Sequence, residues 1–135
     1  MSKNLSIVLV DESKCVIAQL LKLIAGTEGV EVVGTAGDGS GALHVVGDLN
    51  PDLVLMDTSM SGVDGMSALR VLRSKYPEVR IVMMSSLEGV SSCAEEAFRL
   101  GAIQVIGKPF DADLLTSLFE GERKARGFSS RGGDE

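Results

Sequence analysis

Five short apolar runs, Leu5–Val10, Val30–Ala36, Leu53–Met56, Arg80–Met84 and Ala102–Gly107, recur along the chain, each followed by a stretch whose apolar residues return at helical spacing. Runs this short and this rich in valine and isoleucine suit strands buried on both faces. The helical spacing is clearest at Ile17, Leu20, Leu21 and Ile24, at Ala94, Ala97 and Phe98, and at Leu114, Leu115, Leu118 and Phe119. It is weaker at Ala42, Leu43 and Val46 and at Met66, Leu69 and Leu72. A helix between successive strands carries the chain back to its starting edge, so the strands pair parallel. The expected fold is therefore α/β, one five-stranded parallel sheet with helices on both faces. Ser13 is placed to cap the first helix, and Gly26 and Gly101 to end helices in the left-handed conformation.

A chain of 135 residues is long enough for one hydrophobic core without disulfides or metals. Its net charge of −6 opposes attraction to nucleic acid phosphates and to anionic membrane surfaces, so neither is expected as a partner of this chain alone. The first apolar run is broken by Asp11, too soon for a signal peptide or a membrane span. Cys15 and Cys93 stand far apart in helical segments and read as free thiols, which together with the missing signal places the protein in the cytoplasm. His44 reads as a solvated residue of the second helix. From Gly121 onward the apolar pattern stops, so that stretch reads as a frayed helix end, with residues 1–124 as the domain and 125–135 as a disordered tail or the start of a linker.

The residues after each strand carry the chemistry. The first run ends in Asp11-Glu12, the third in Asp57, the fourth in Ser85-Ser86 and the fifth in Lys108-Pro109. In a parallel sheet these positions share one edge, where open α/β sheets place ligands. Crowded carboxylates repel unless a cation is shared among them, and a hard divalent ion that keeps water and phosphate oxygens in its shell, Mg2+, suits such a set. Lys108 and Ser85 could then neutralise the oxygens of a phosphoryl group while Asp57 attacks in line, forming an aspartyl phosphate.

These elements resemble the receiver domain of two-component response regulators, of the CheY-like kind, from about Leu5 to Lys124. The matching residues are V-D-E at Val10 to Glu12, D-x-x-M-x-x-x-D-G at Asp57 to Gly65, the pair Ser85-Ser86, Gly101-Ala102, and K-P-F at Lys108 to Phe110. The resemblance implies a flavodoxin-like sheet of order 2-1-3-4-5 and a cis peptide between Lys108 and Pro109. It implies Asp57 as phosphoacceptor, Ser85 as the switching hydroxyl and Lys108 as the phosphate contact. It also implies Asp11, Glu12, Asp57 and the backbone carbonyl of Ser59 as Mg2+ ligands. A histidine kinase would supply the phosphoryl group, and a downstream target protein would read the changed surface. V-M-M-S-S-L-E-G at Val82 to Gly89 and L-G-A-I at Leu100 to Ile103 are similar to chemotaxis methylesterase receivers, which implies a chemotaxis-type system.

Three positions depart from the family pattern. Glu12 replaces the second aspartate, Ser61 replaces a proline, and Val105 stands where an aromatic ring usually follows the hydroxyl. Without that ring, the loop from Ser86 to Ser92, with Gly89 as its most permissive point, is expected to carry the change of surface, coupled to the start of the fourth helix near Cys93. The competing readings are a degenerate receiver that only binds partners and an aspartate-nucleophile phosphatase. The latter lacks, at Ser59, the second aspartate of the haloacid-dehalogenase type. A flavin carrier is disfavoured by the absence of tryptophan and the single tyrosine, and a P-loop enzyme by the absence of its glycine-lysine loop.

Overall fold

The structure, a computed structural model, describes residues 4–60 and 64–127, with the side chains of residues 87–92 outside the description. Strands β1 (Leu5–Val10), β2 (Val30–Ala36), β3 (Leu53–Asp57), β4 (Arg80–Ser86) and β5 (Gln104–Lys108) alternate with helices α1 (Lys14–Ala25), α2 (Gly39–Leu49), α3 (Gly65–Lys75), α4 (Leu87–Leu100) and α5 (Ala112–Ala125). The strands form one parallel sheet in the order β2-β1-β3-β4-β5. The expected strands are all present, with β3 and β4 reaching one and two residues further than the apolar runs and β5 beginning two residues later.

Alternation along each strand sorts the core into two layers. Val8, Val10, Val54, Met56, Ile81 and Met83 face α2, α3 and α4 through Ala42, Val46, Leu69, Leu72 and Ala97. Leu5, Ile7, Leu9, Leu53, Leu55, Val82 and Met84 face α1 and α5 through Leu20, Ile24, Leu115 and Phe119. The apolar stripes on the helices are narrower than their spacing suggests, since Leu21, Phe98 and Leu114 stand exposed beside buried neighbours.

Helix ends follow local chemistry. The Ser13 hydroxyl accepts from Val16 N–H at 3.3 Å, Asp38 Oδ1 from Gly41 N–H at 2.7 Å, and Asp64 Oδ1 from Ser67 N–H at 2.8 Å. Gly101 takes the left-handed conformation expected of it, with φ +114°. Gly26 does not. It ends α1 at φ −88°, and the positive φ comes three residues later at Gly29, where the chain turns into β2.

The reading of Gly121 onward as a frayed end fails as far as residue 125. Helix α5 continues to Ala125, and Glu122 and Arg123 are buried, Arg123 to 1% exposure. Arg123 Nη1 donates to the carbonyl of Gly29 at 2.8 Å, and Arg80 Nε pairs with Glu122 Oε1 at 2.5 Å. Charged residues are buried here because each meets a partner at the sheet's amino edge. The expected tail from residue 128 lies outside the described residues. Among the described residues no helix is long and apolar enough to cross a membrane.

Candidate functional site at the carboxyl edge of the sheet

Register brings the polar residues together. Val10 pairs with Met56, Asp57 with Met84, Ser85 with Gly107 and Ser86 with Lys108, so the ends of β1, β3, β4 and β5 meet on one rim. Asp57 closes β3 at 6% exposure and Asp11 follows β1 at 3%. Lys108 reaches across from the end of β5, its Nζ 2.7 Å from Asp11 Oδ2 and 2.9 Å from Asp57 Oδ1. The second oxygen of Asp11 accepts from Ser13 N–H at 2.9 Å, which ties its orientation to the start of α1. The peptide between Lys108 and Pro109 is cis, as the resemblance implies.

Asp57 has a raised pKa. Burial raises it and so does the charge of Asp11, against the opposing pull of the Lys108 ammonium and the Ser59 N–H. Burial by itself pulls Lys108 towards neutrality, but hydrogen bonds and charge from the two carboxylates more than reverse this and hold its pKa above the ordinary value. Two buried carboxylates thus share one ammonium, and the rim keeps an excess of negative charge.

Ser85 is buried at 6% exposure, and its hydroxyl accepts from Thr58 Oγ1 at 3.3 Å. Thr58 is a site residue that the sequence reading passed over. Its one visible signal was a hydroxyl immediately after Asp57. Glu12 stands exposed on a cleft that it shares with Thr58, Ser59, Met60 and Asp64. Among the described residues no three acidic, histidine or cysteine side chains are gathered closely enough to hold a metal by themselves. The donor chemistry nevertheless fits Mg2+. Asp11 and Asp57 offer hard oxygens in a negatively charged rim, and Mg2+ uses one or two carboxylates and keeps several waters. Val105 is half-buried against the core layer under α4. The loop expected from Ser86 to Ser92 is not one: β4 runs to Ser86 and α4 begins at Leu87, six residues before Cys93. Ser61 and the side chains of residues 87–92 lie outside the described residues.

A family model for the response regulator receiver domain matches residues 7–120, and the chain belongs to that family. It is 38% identical over 103 residues to protein-glutamate methylesterase/protein-glutamine glutaminase 5 of Myxococcus xanthus, covering 76% of this chain and 30% of that protein. It is 35% identical over 129 residues to enzyme 2 of the same name from Burkholderia thailandensis, covering 89% of this chain and 36% of that protein. The chain therefore spans about a third of the length of these curated relatives. Among solved structures, the response regulator domain of Thermotoga maritima CheB superposes with a TM-score of 0.80 at 30% identity, covering 94% of this chain and 99% of that one.

Proposed function

We propose that Asp57 accepts a phosphoryl group from a histidine kinase, and that the domain signals to a downstream target by changing a protein-binding surface. The observation that carries this is the meeting of Asp57, Asp11 and Lys108 at one buried rim, with Ser85 one strand away. An Asp57 oxygen attacks phosphorus as the bond to the donor's leaving nitrogen breaks. Lys108, held cationic by the two carboxylates, sits where charge develops on the phosphoryl oxygens, and Ser85 supplies a neutral donor. Receiver domains generally bind Mg2+; here Asp11, Asp57 and the Ser59 carbonyl would hold it, with Glu12 reaching in from the cleft, and it would supply positive charge to the transferred oxygens.

The domain, residues 1–124, assists its own phosphorylation and dephosphorylation without acting on another substrate. The methylesterase relatives favour a chemotaxis-type system. The exposed position of Glu12 favours one other reading, a receiver that binds partners without phosphorylation. Intact mass after incubation with acetyl phosphate and Mg2+ separates the two. A single added phosphoryl group on the wild type and none on Asp57→Asn is expected. Equal gain by both proteins would remove Asp57 as acceptor, and no gain by either would leave the binding-module reading.

A further inference from the structure

Ser85 is engaged before any phosphoryl group arrives. Among the described residues its hydrogen-bond partner is the Thr58 hydroxyl at 3.3 Å, not the carboxylate of Asp57. Thr58 is itself fixed at both ends of its backbone, its N–H donating to the Met84 carbonyl at 2.9 Å and its carbonyl accepting from Gly65 N–H at 3.3 Å. The Thr58 hydroxyl is therefore presented from an anchored backbone, and the side chain that must turn is that of Ser85. Ser85 closes the buried part of β4, with Ser86 beyond it exposed, and the hydroxyl pair is the side-chain hydrogen bond that the described residues give it.

We propose that Thr58 is a positioning residue that holds Ser85 in its resting rotamer and so biases the domain against the phosphorylated arrangement. Resting on the reading of Asp57 as phosphoacceptor, the inference adds a competitor for the hydroxyl which that reading requires to move. Because Ser85 Oγ is the acceptor in this pair, the contact leaves its own proton free, and what the contact opposes is the displacement of Ser85 Oγ towards a group bonded to Asp57, by what the contact is worth. At 3.3 Å it is long for a hydroxyl pair and belongs at the low end of the range for a neutral hydrogen bond.

Two measurements on the full chain test this. In the free protein, three-bond couplings of Ser85 report its χ1. One dominant rotamer is expected for wild type and Thr58→Ser, and averaging over rotamers for Thr58→Val. With Mg2+ and beryllofluoride as the phosphoryl mimic, Thr58→Val should bind roughly two- to fivefold more tightly than wild type, the fold-change one weak neutral hydrogen bond allows. Thr58→Ser should restore the wild-type affinity. In a Ser85→Ala background Thr58→Val should change nothing, because the partner is gone. A single dominant Ser85 χ1 rotamer retained in Thr58→Val, or equal mimic affinity for wild type and Thr58→Val, overturns the proposal while leaving the phosphoacceptor intact. A persisting effect in the Ser85→Ala background also overturns it. Failure of the wild type to bind the mimic overturns both readings.

Discussion

Removing Lys108 tests the electrostatics of the rim directly. Asp11 and Asp57 are both buried and both lean on one ammonium, at 2.7 and 2.9 Å. Severing a buried ion pair by deleting one partner costs about 3–5 kcal/mol, because the other charge is left without compensation. The Lys108 side chain keeps 24% of its surface exposed, so water screens part of the loss, and about 2–3 kcal/mol is expected for Lys108→Ala at neutral pH. For a chain of this length that is roughly 6–15 °C in Tm. The sign of the pH dependence follows from Asp57. Its folded-state pKa is already raised, and losing the cation raises it further. A raised pKa contributes stability that is present below the unfolded value and is lost as pH rises through the folded value. The deficit of the variant should therefore be small near pH 4 and full at neutral pH. It should shrink again in strong alkali, where wild-type Lys108, whose pKa is also raised, gives up its own proton. Added Mg2+ should raise the variant's midpoint more than the wild type's, since no ammonium then competes for the same carboxylates. Urea unfolding followed by far-UV circular dichroism reads all of this without tryptophan. A deficit equal at pH 4.5 and 7.5, with no differential response to Mg2+, would refute the reasoning.

Gly65→Ala should cost about 3 kcal/mol or more in urea, since a Cβ there would lie 1.9 Å from the Asp57 carbonyl oxygen and 2.8 Å from Thr58 Cα, both backbone atoms with no room to yield; a loss under about 1 kcal/mol would contradict that packing. Arg123→Met keeps the apolar stem but loses the bond to the Gly29 carbonyl, and should lower stability by about 1–2 kcal/mol while leaving phosphoryl gain from acetyl phosphate unchanged. Reduced phosphorylation at matched folded fraction would show that the two edges of the sheet are coupled.

The parallel sheet was legible because a short apolar run and a stretch of helical spacing follow one another five times, while the order of its strands came from the family resemblance and not from that alternation. The rim was legible for a related reason. Asp11 and Asp57 each interrupt or end an apolar run abruptly, and a parallel sheet gathers such interruptions on one side. What escaped the sequence depends on partners far along the chain. Glu122 and Arg123 read as part of a frayed helix end, yet their burial is decided by Arg80 and Gly29, 42 and 94 positions away. Thr58 offered only a hydroxyl next to Asp57 until β4 placed Ser85 beside it. Phe98 and Leu114 matched a helical stripe, but an apolar residue at the edge of a stripe is buried only if a strand lies beneath it.

The two edges of the sheet divide stability and chemistry between them. At the carboxyl edge, like charges are held together at a cost, since burial pushes Asp57 towards protonation. At the amino edge, three arginines donate to backbone carbonyls that lead into strands. Arg73 reaches those of Pro77, Val79 and Gly101, Arg126 those of Asp52 and Glu78, and Arg123 that of Gly29. The segments before β2, β3, β4 and β5 are thereby pinned by charge-assisted bonds, among the stronger that a protein makes. Asp52 completes the arrangement, its Oδ2 accepting from the N–H and hydroxyl of Ser6 in β1 while its Oδ1 pairs with Arg126 at 3.2 Å. The strands are thus fixed at their entries by bonds that do not touch the opposite edge, where Ser85 and Ser86 end β4 and α4 begins. A substitution at the amino edge should therefore change how stable the domain is and leave the phosphoryl chemistry alone, one at Lys108 should change both, and one at Thr58 should change the proposed switching with little effect on stability.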